Sequence, residues 1–239
     1  WVERVRDAID EHRFVLYSQP IVALTGGDAS EELLLRMVGR DGEIVAPGSF
    51  LPVAEKFGLI VEIDRWVISQ AAQRAAQSGR VIEVNVSAES IGDTRDLIGF
   101  IGRQLSDTGA DPAHLIFEIT ETALMHDITR GEMFARALAD FGCGVALDDF
   151  GTGFGSFTYL KKLPLTHLKI DIEFVRDLDR SPANRHVVRA IVSLARAFGL
   201  RTIAEGVEDE ETLTHLRAEG VDFAQGFHIG RPKPTVAIE

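Results

Sequence analysis

Trp1, Val5 and Ile9 recur every four residues among charged neighbours, the spacing of an amphipathic helix that leads into the rest of the chain. Residues 14–19 and 30–38 then read as two extended segments. They are joined across Leu24-Thr25-Gly26-Gly27-Asp28, a glycine turn of hairpin length, so the fold should start antiparallel. From there the pattern alternates. Helices are predicted over 49–57 and 61–78, then a strand over 81–86, a helix over 96–106 and a strand over 114–119. A helix over 127–140 precedes a strand over 144–148, and a short helix after Gly155 leads to a strand over 167–171. The order closes with a helix over 183–198, a strand over 201–205, a helix over 209–218 and a strand over 222–225. Gly79, Gly142, Gly199 and Gly220 stand where left-handed helix caps are expected.

Strands that alternate with helices form a parallel sheet, and seven or eight such units within 239 residues suit a closed α/β barrel better than an open doubly wound sheet. No G-x-G-x-x-G follows the first strand, which argues against a dinucleotide fold. The reading is one domain over 13–239, preceded by a lead-in helix over 1–12 that continues an upstream linker.

A barrel places its chemistry at the carboxyl ends of its strands, and polar residues interrupt the apolar strands there. They are Glu32, Asn85, Glu118, the pair Asp148 and Asp149, Lys169, Glu205 and Gln225. Taking Asp148 for the pair, the successive separations are 53, 33, 30, 21, 36 and 20 residues, about one polar position per strand-helix unit, so closure would gather them on one rim. Buried unpaired charges are costly, and such groups persist where they pair with one another or ligate a metal. Carboxylates and an amide without Cys or His partners specify a hard cation such as Mg²⁺ or Mn²⁺. After the aspartate pair, Phe150-Gly151-Thr152-Gly153-Phe154-Gly155-Ser156 reads as a loop able to order over substrate and metal.

Composition narrows the partners. Lys and Arg number 25 against 37 Asp and Glu, a formal charge of −12, and the basic residues do not cluster. An extended nucleic acid is therefore excluded, while a small phosphate ligand can still enter through metal ions. With 45% hydrophobic residues the chain can fill a sizeable core, which rules out disorder. Cys143 has no disulfide partner and reads as a small buried residue of a reducing compartment. No uninterrupted apolar run reaches the length of a membrane span, and the charged start is no signal peptide. Because it begins at Trp1, the sequence reads as a piece of a longer chain. His12, His114, His126, His167, His186, His215 and His228 show no metal-ligand spacing and receive no catalytic role.

A wider set of motifs then comes into view: Gln19-Pro20-Ile21-Val22, Glu32-Leu33-Leu34-Leu35-Arg36, Asn85-Val86-Ser87 and Phe117-Glu118-Ile119-Thr120-Glu121. They continue with Asp148-Asp149-Phe150-Gly151-Thr152-Gly153, Leu168-Lys169-Ile170-Asp171, Ala204-Glu205-Gly206-Val207-Glu208 and Gln225-Gly226-Phe227. In this order, over residues 13–235, the chain resembles an EAL domain.

The resemblance implies a modified (β/α)8 TIM-type barrel whose first strand is antiparallel, and a phosphodiesterase that linearises cyclic di-GMP to pGpG. It implies Glu32, Asn85, Glu118, Asp148, Asp149 and Glu205 as ligands of one or two Mg²⁺ or Mn²⁺ ions, with Ca²⁺ allowing binding but inhibiting turnover. Lys169 falls on the position that contacts the nucleophilic water, Glu205 on a candidate general base, and Glu121 on the anchor of the loop over 149–155. With Glu32 these form the catalytic set. Gln19, Leu35, Arg36 and Glu208 fall on substrate contacts, and Asp171 and Gln225 on positions that support the ligands or touch water at the substrate. Implied partners are cyclic di-GMP, a second copy in a homodimer, and an upstream sensor or GGDEF domain of a cytoplasmic parent protein that is free or membrane-anchored. The alternative is a catalytically silent cyclic di-GMP receptor, in which ligands or the loop are usually degraded, and neither is degraded here. Two departures stand out. Leu33 replaces the alanine of the name motif, where it should face away from Glu32, and Phe154-Gly155 replaces the usual small or aliphatic pair in the loop.

Overall fold

The computed structural model describes residues 1–151 and 160–235. Helix α1 (Val2–Asp10) lays Val5 and Ala8 against the core, and β1 (Phe14–Ala23) then turns back into β2 (Ser30–Val38). The two-residue strand β3 (Ile44–Val45) leads to α2 (Leu51–Lys56) and α3 (Ile60–Ser78). Next come β4 (Val81–Asn85), α4 (Ala88–Gly92), α5 (Thr94–Thr108), β5 (Leu115–Thr120), α6 (Glu121–His126), α7 (Ile128–Phe141) and β6 (Gly144–Phe150). The last part runs β7 (His167–Ile170), α8 (Ile172–Val175), α9 (Pro182–Ala197), β8 (Arg201–Ala204), α10 (Glu210–Glu219), β9 (Phe223–Gln225) and β10 (Lys233–Pro234).

Strands β2, β4, β5, β6, β7, β8 and β9 pair in parallel, neighbour to neighbour. β1 closes the barrel by pairing antiparallel with both β2 and β9, which brings Gln19 opposite Glu32 and Ile21 opposite Gln225. The expected (β/α)8-type barrel with an antiparallel first strand is thus the observed fold. β3 and β10 extend β2 and β1 outside the ring.

Successive strand residues point to opposite faces, so each strand divides its side chains between the lumen and the helical layer. Leu33, Val84, Phe117, Leu147 and Leu168 join the apolar layer between barrel and helices. Phe117 of β5 meets Phe134 of α7 edge-on, with ring centroids 6.3 Å apart. In the lumen, Ile21, Ile203 and Phe223 form a separate apolar plug with Ala23 beneath the polar mouth. Burying these side chains is the main stabilising contribution.

Three short helices, α4, α6 and α8, were not anticipated from periodicity because four to six residues are too few to show it. They start on side-chain caps: Ser87, Thr120 and Asp171 accept from the amides of Ser90, Ala123 and Glu173. The short helix expected after Gly155 lies outside the described residues. Among the described residues, no helix is long and apolar enough to cross a membrane. Phe134 is fully buried, so Phe134→Ala should cost about 3–5 kcal/mol in denaturant unfolding. A loss below about 1 kcal/mol would show that α7 contributes little to the packing of β5.

Candidate metal centre at the barrel mouth

At the carboxyl ends of the strands the inward positions turn from apolar to charged. Lys169 of β7 stands in the middle, 1% exposed. Its Nζ lies 2.6 Å from Glu118 Oε2, 2.8 Å from Glu205 Oε1, 3.7 Å from Asp148 Oδ1 and 3.8 Å from Glu32 Oε2. Amides brace the carboxylates: Asn85 Nδ2 donates to Glu32 Oε1 at 2.7 Å, and Gln225 Nε2 donates to Glu32 Oε2 at 2.6 Å and Gln19 Oε1 at 3.2 Å. Gln19 Nε2 in turn donates to the Gly230 carbonyl at 3.0 Å.

Burial disfavours every one of these charges, and the surroundings decide which survive. Burial, reinforced by Glu32, pushes the Glu118 carboxyl well up. Burial also pushes Glu205 up to about 7, although Lys169 opposes it. For Lys169, burial favours the neutral amine, but Glu118, Glu205, Glu32 and Asp148 outweigh it and hold the ammonium well above its ordinary range.

Adjacent residues on a regular strand cannot both face the lumen. β6 solves this with an irregularity: its register with β7 shifts between Leu147 and Phe150, and Asp149 takes a left-handed φ of 55°. Asp148, Asp149 and Glu205 can therefore each offer a carboxylate oxygen within 4.8 Å of one another. Asp149 is pushed up to about 6 by burial and by the nearby Asp148 and Asp171. An all-oxygen donor set with surplus negative charge fits a hard divalent cation. Glu118 Oε1 is buried and has no hydrogen-bond donor among the described residues.

Two cavities flank this cluster. One, about 320 Å³, is lined by Gln19, Glu32, Ile172, Glu205, Glu208 and Phe227. The other, about 520 Å³, lies along Leu34, Leu35, Leu51, Asp64, Asn85 and Thr120. The structure thus brings Gln19, Glu32, Asn85, Glu118, Asp148, Asp149, Lys169, Glu205 and Gln225 together, with Leu35 and Glu208 on the cavity walls. Asp171 faces Asp149 and caps α8. Glu121, buried at the start of α6, accepts from the Gly151 amide at 3.3 Å, and the rest of that loop over 152–159 lies outside the described residues. Arg36 is not gathered in: its guanidinium lies over the Tyr17 ring, 5.2 Å from the centroid, and donates to the Leu35 carbonyl.

Three buried acids escaped the sequence reading: Glu31, which pairs with Arg74 at 2.7 Å, and, nearer the mouth, Glu83 and Asp64. Glu83 of β4 sits one layer below Asn85, accepting from Ser30 Oγ at 2.5 Å, and shares its inward parity, which was the available signal. Asp64 of α3 accepts from the Ser87 amide at 3.0 Å and from Ser90 Oγ at 2.7 Å, and so ties α3 to the turn just after Asn85. Its apolar-face position on a helix carried no such signal.

The EAL domain family model matches residues 2–232, and the chain belongs to this family. It is 36% identical to the cyclic di-GMP phosphodiesterase PdeB of Shewanella oneidensis, over 99% of this chain and 28% of PdeB. It is 37% identical to MucR of Pseudomonas aeruginosa, a bifunctional diguanylate cyclase and cyclic di-GMP phosphodiesterase, over 97% of this chain and 35% of MucR. The chain thus spans about a third of the length of these relatives. The solved structure of the PaMucR phosphodiesterase in complex with c-di-GMP superposes with a TM-score of 0.91 at 37% identity, covering 98% of this chain and 97% of that one.

Asp64 provides a test of the architecture around Asn85. Burial pushes its carboxyl up to about 6 from an ordinary 3.8, against the Ser87 and Ser90 hydrogen bonds. A folded-state value above the unfolded one means that the stability contribution is full below the unfolded value and is lost as pH rises through the folded value. Asp64→Asn removes the titration. Its stability relative to wild type should therefore improve by up to about 3 kcal/mol between pH 4 and pH 7 in denaturant melts. A difference independent of pH would contradict this assignment.

Proposed function

We propose that this domain is a metal-dependent phosphodiesterase that hydrolyses cyclic di-GMP to linear pGpG. The observation that carries the reading is the convergence of Asp148, Asp149 and Glu205 on one point beside Lys169, between two cavities able to take the two halves of an elongated dinucleotide. The relatives named as cyclic di-GMP phosphodiesterases support it.

In this reading Glu32, Asn85, Glu118, Asp148, Asp149 and Glu205 hold one or two Mg²⁺ or Mn²⁺ ions. A bound ion of this kind lowers the pKa of a water and offsets charge on the phosphodiester oxygens. The chain's residues do the rest. Lys169 Nζ orients the attacking water, Glu205 accepts its proton, and Gln19, Leu35, Glu208 and Gln225 seat the substrate, with Arg36 swinging from Tyr17 to a phosphate. Water oxygen bonds to phosphorus, the P–O3′ bond breaks, and the leaving oxygen takes a proton to give the 3′-hydroxyl of pGpG. Glu121 orders the loop after Asp149, and Asp171 steadies Asp149. Ca²⁺ supports binding but blocks turnover. The assembly is a homodimer of a longer cytoplasmic protein, free or membrane-anchored, that also carries a sensor or GGDEF domain, and the bifunctional name of MucR supports the second domain alone.

Purified protein incubated with cyclic di-GMP and Mn²⁺ or Mg²⁺ should yield pGpG by chromatography, and a chelator should stop it. Glu32→Ala and Asp148→Ala should each lower the rate at least about 100-fold. Leu33→Ala should stay within a few-fold, because Leu33 packs outside the barrel. Ligand binding without any product in metal would contradict the enzyme and favour a receptor.

A further inference from the structure

Glu32, Glu118, Asp148 and Glu205 come from different parts of the ring, β2, β5, β6 and the end of β8, yet all lie within 3.8 Å of one ammonium. No other ion pair reaches these carboxylates among the described residues. Of the chain's lysines, Lys56, Lys161, Lys162 and Lys233 are exposed, and Lys169 alone is buried. Its Nζ therefore compensates charges that would otherwise repel one another in a water-poor lumen.

The shortest of these contacts are to Glu118 Oε2 and Glu205 Oε1, oxygens that the metal reading needs. An oxygen donating its lone pairs to an ammonium at this distance and to a divalent ion at the same time brings two cations within a few ångströms of each other. The two interactions must compete. We propose that Lys169 is the built-in counter-cation of the site: divalent-ion loading is a charge exchange in which its Nζ gives up carboxylate oxygens, and this exchange sets the ion concentration at which the site fills. The inference rests on the metal reading above and adds a role for Lys169 that precedes substrate.

Two consequences carry opposite signs, which a merely structural lysine would not produce. Removing the ammonium should destabilise the ion-free protein, because the carboxylates lose their compensation. The same removal should tighten ion binding, because the competitor is gone. In calorimetry without substrate, Lys169→Met should bind Mn²⁺ at least about 10-fold more tightly than wild type. Its melting temperature should be lower in chelator, and the upward shift on adding Mn²⁺ should be larger. Binding that is unchanged or weaker in the variant overturns the exchange while leaving the metal reading intact. No Mn²⁺ uptake by either protein overturns the metal reading itself.

Should Lys169→Met not fold, the wild type decides. The one slowly exchanging lysine ¹⁵Nζ signal, expected from the one buried lysine, should shift with Mg²⁺ at the midpoint found by calorimetry. A signal that stays in place while Mg²⁺ binds overturns the proposal.

Discussion

Everything at the mouth of this barrel depends on how several carboxylates are kept together where water is scarce. Glu32, Glu118, Asp148 and Glu205 would repel one another, and Lys169 with the amides of Asn85 and Gln225 holds them in place. The interaction is strong because it is dry: Lys169 and Glu118 are each 1% exposed. A scaffold able to hold such a cluster must be rigid, and barrel closure supplies that rigidity. Below the cluster, Ile21, Ile203 and Phe223 fill the lumen, so the polar layer rests on a packed floor.

The antiparallel β1 and the irregularity in β6 shape the same site by different means. β1 brings Gln19 alongside Glu32 and next to Gln225, so the seam of the closed barrel is itself hydrogen-bonded through side chains. β6 turns Asp149 into a left-handed conformation so that consecutive aspartates share one side. Strain of this kind persists where surrounding structure holds it, and here the two flanking strands do.

The barrel was legible in the sequence because strand and helix periods alternate cleanly and glycines such as Gly79 and Gly142 end helices in the left-handed conformation that suits them. The ring of polar side chains was legible for a related reason: a charge inside an otherwise apolar strand, as at Glu118 or Lys169, is costly enough to demand a partner. What stayed hidden depends on three-dimensional neighbours. The β6 irregularity leaves no mark in Val145-Ala146-Leu147-Asp148-Asp149, the Asp64 link to Ser87 crosses between elements, and Arg36 rests on Tyr17 through a cross-strand contact that spacing does not encode.

The proposed chemistry depends on a divalent ion held by Asp148, Asp149 and Glu205. Crystals of the protein soaked in Mn²⁺ and measured for anomalous scattering test it directly. A strong manganese peak is expected within coordination distance of all three carboxylates. A map with no peak there, in crystals whose carboxylates are otherwise accessible and deprotonated, would contradict it.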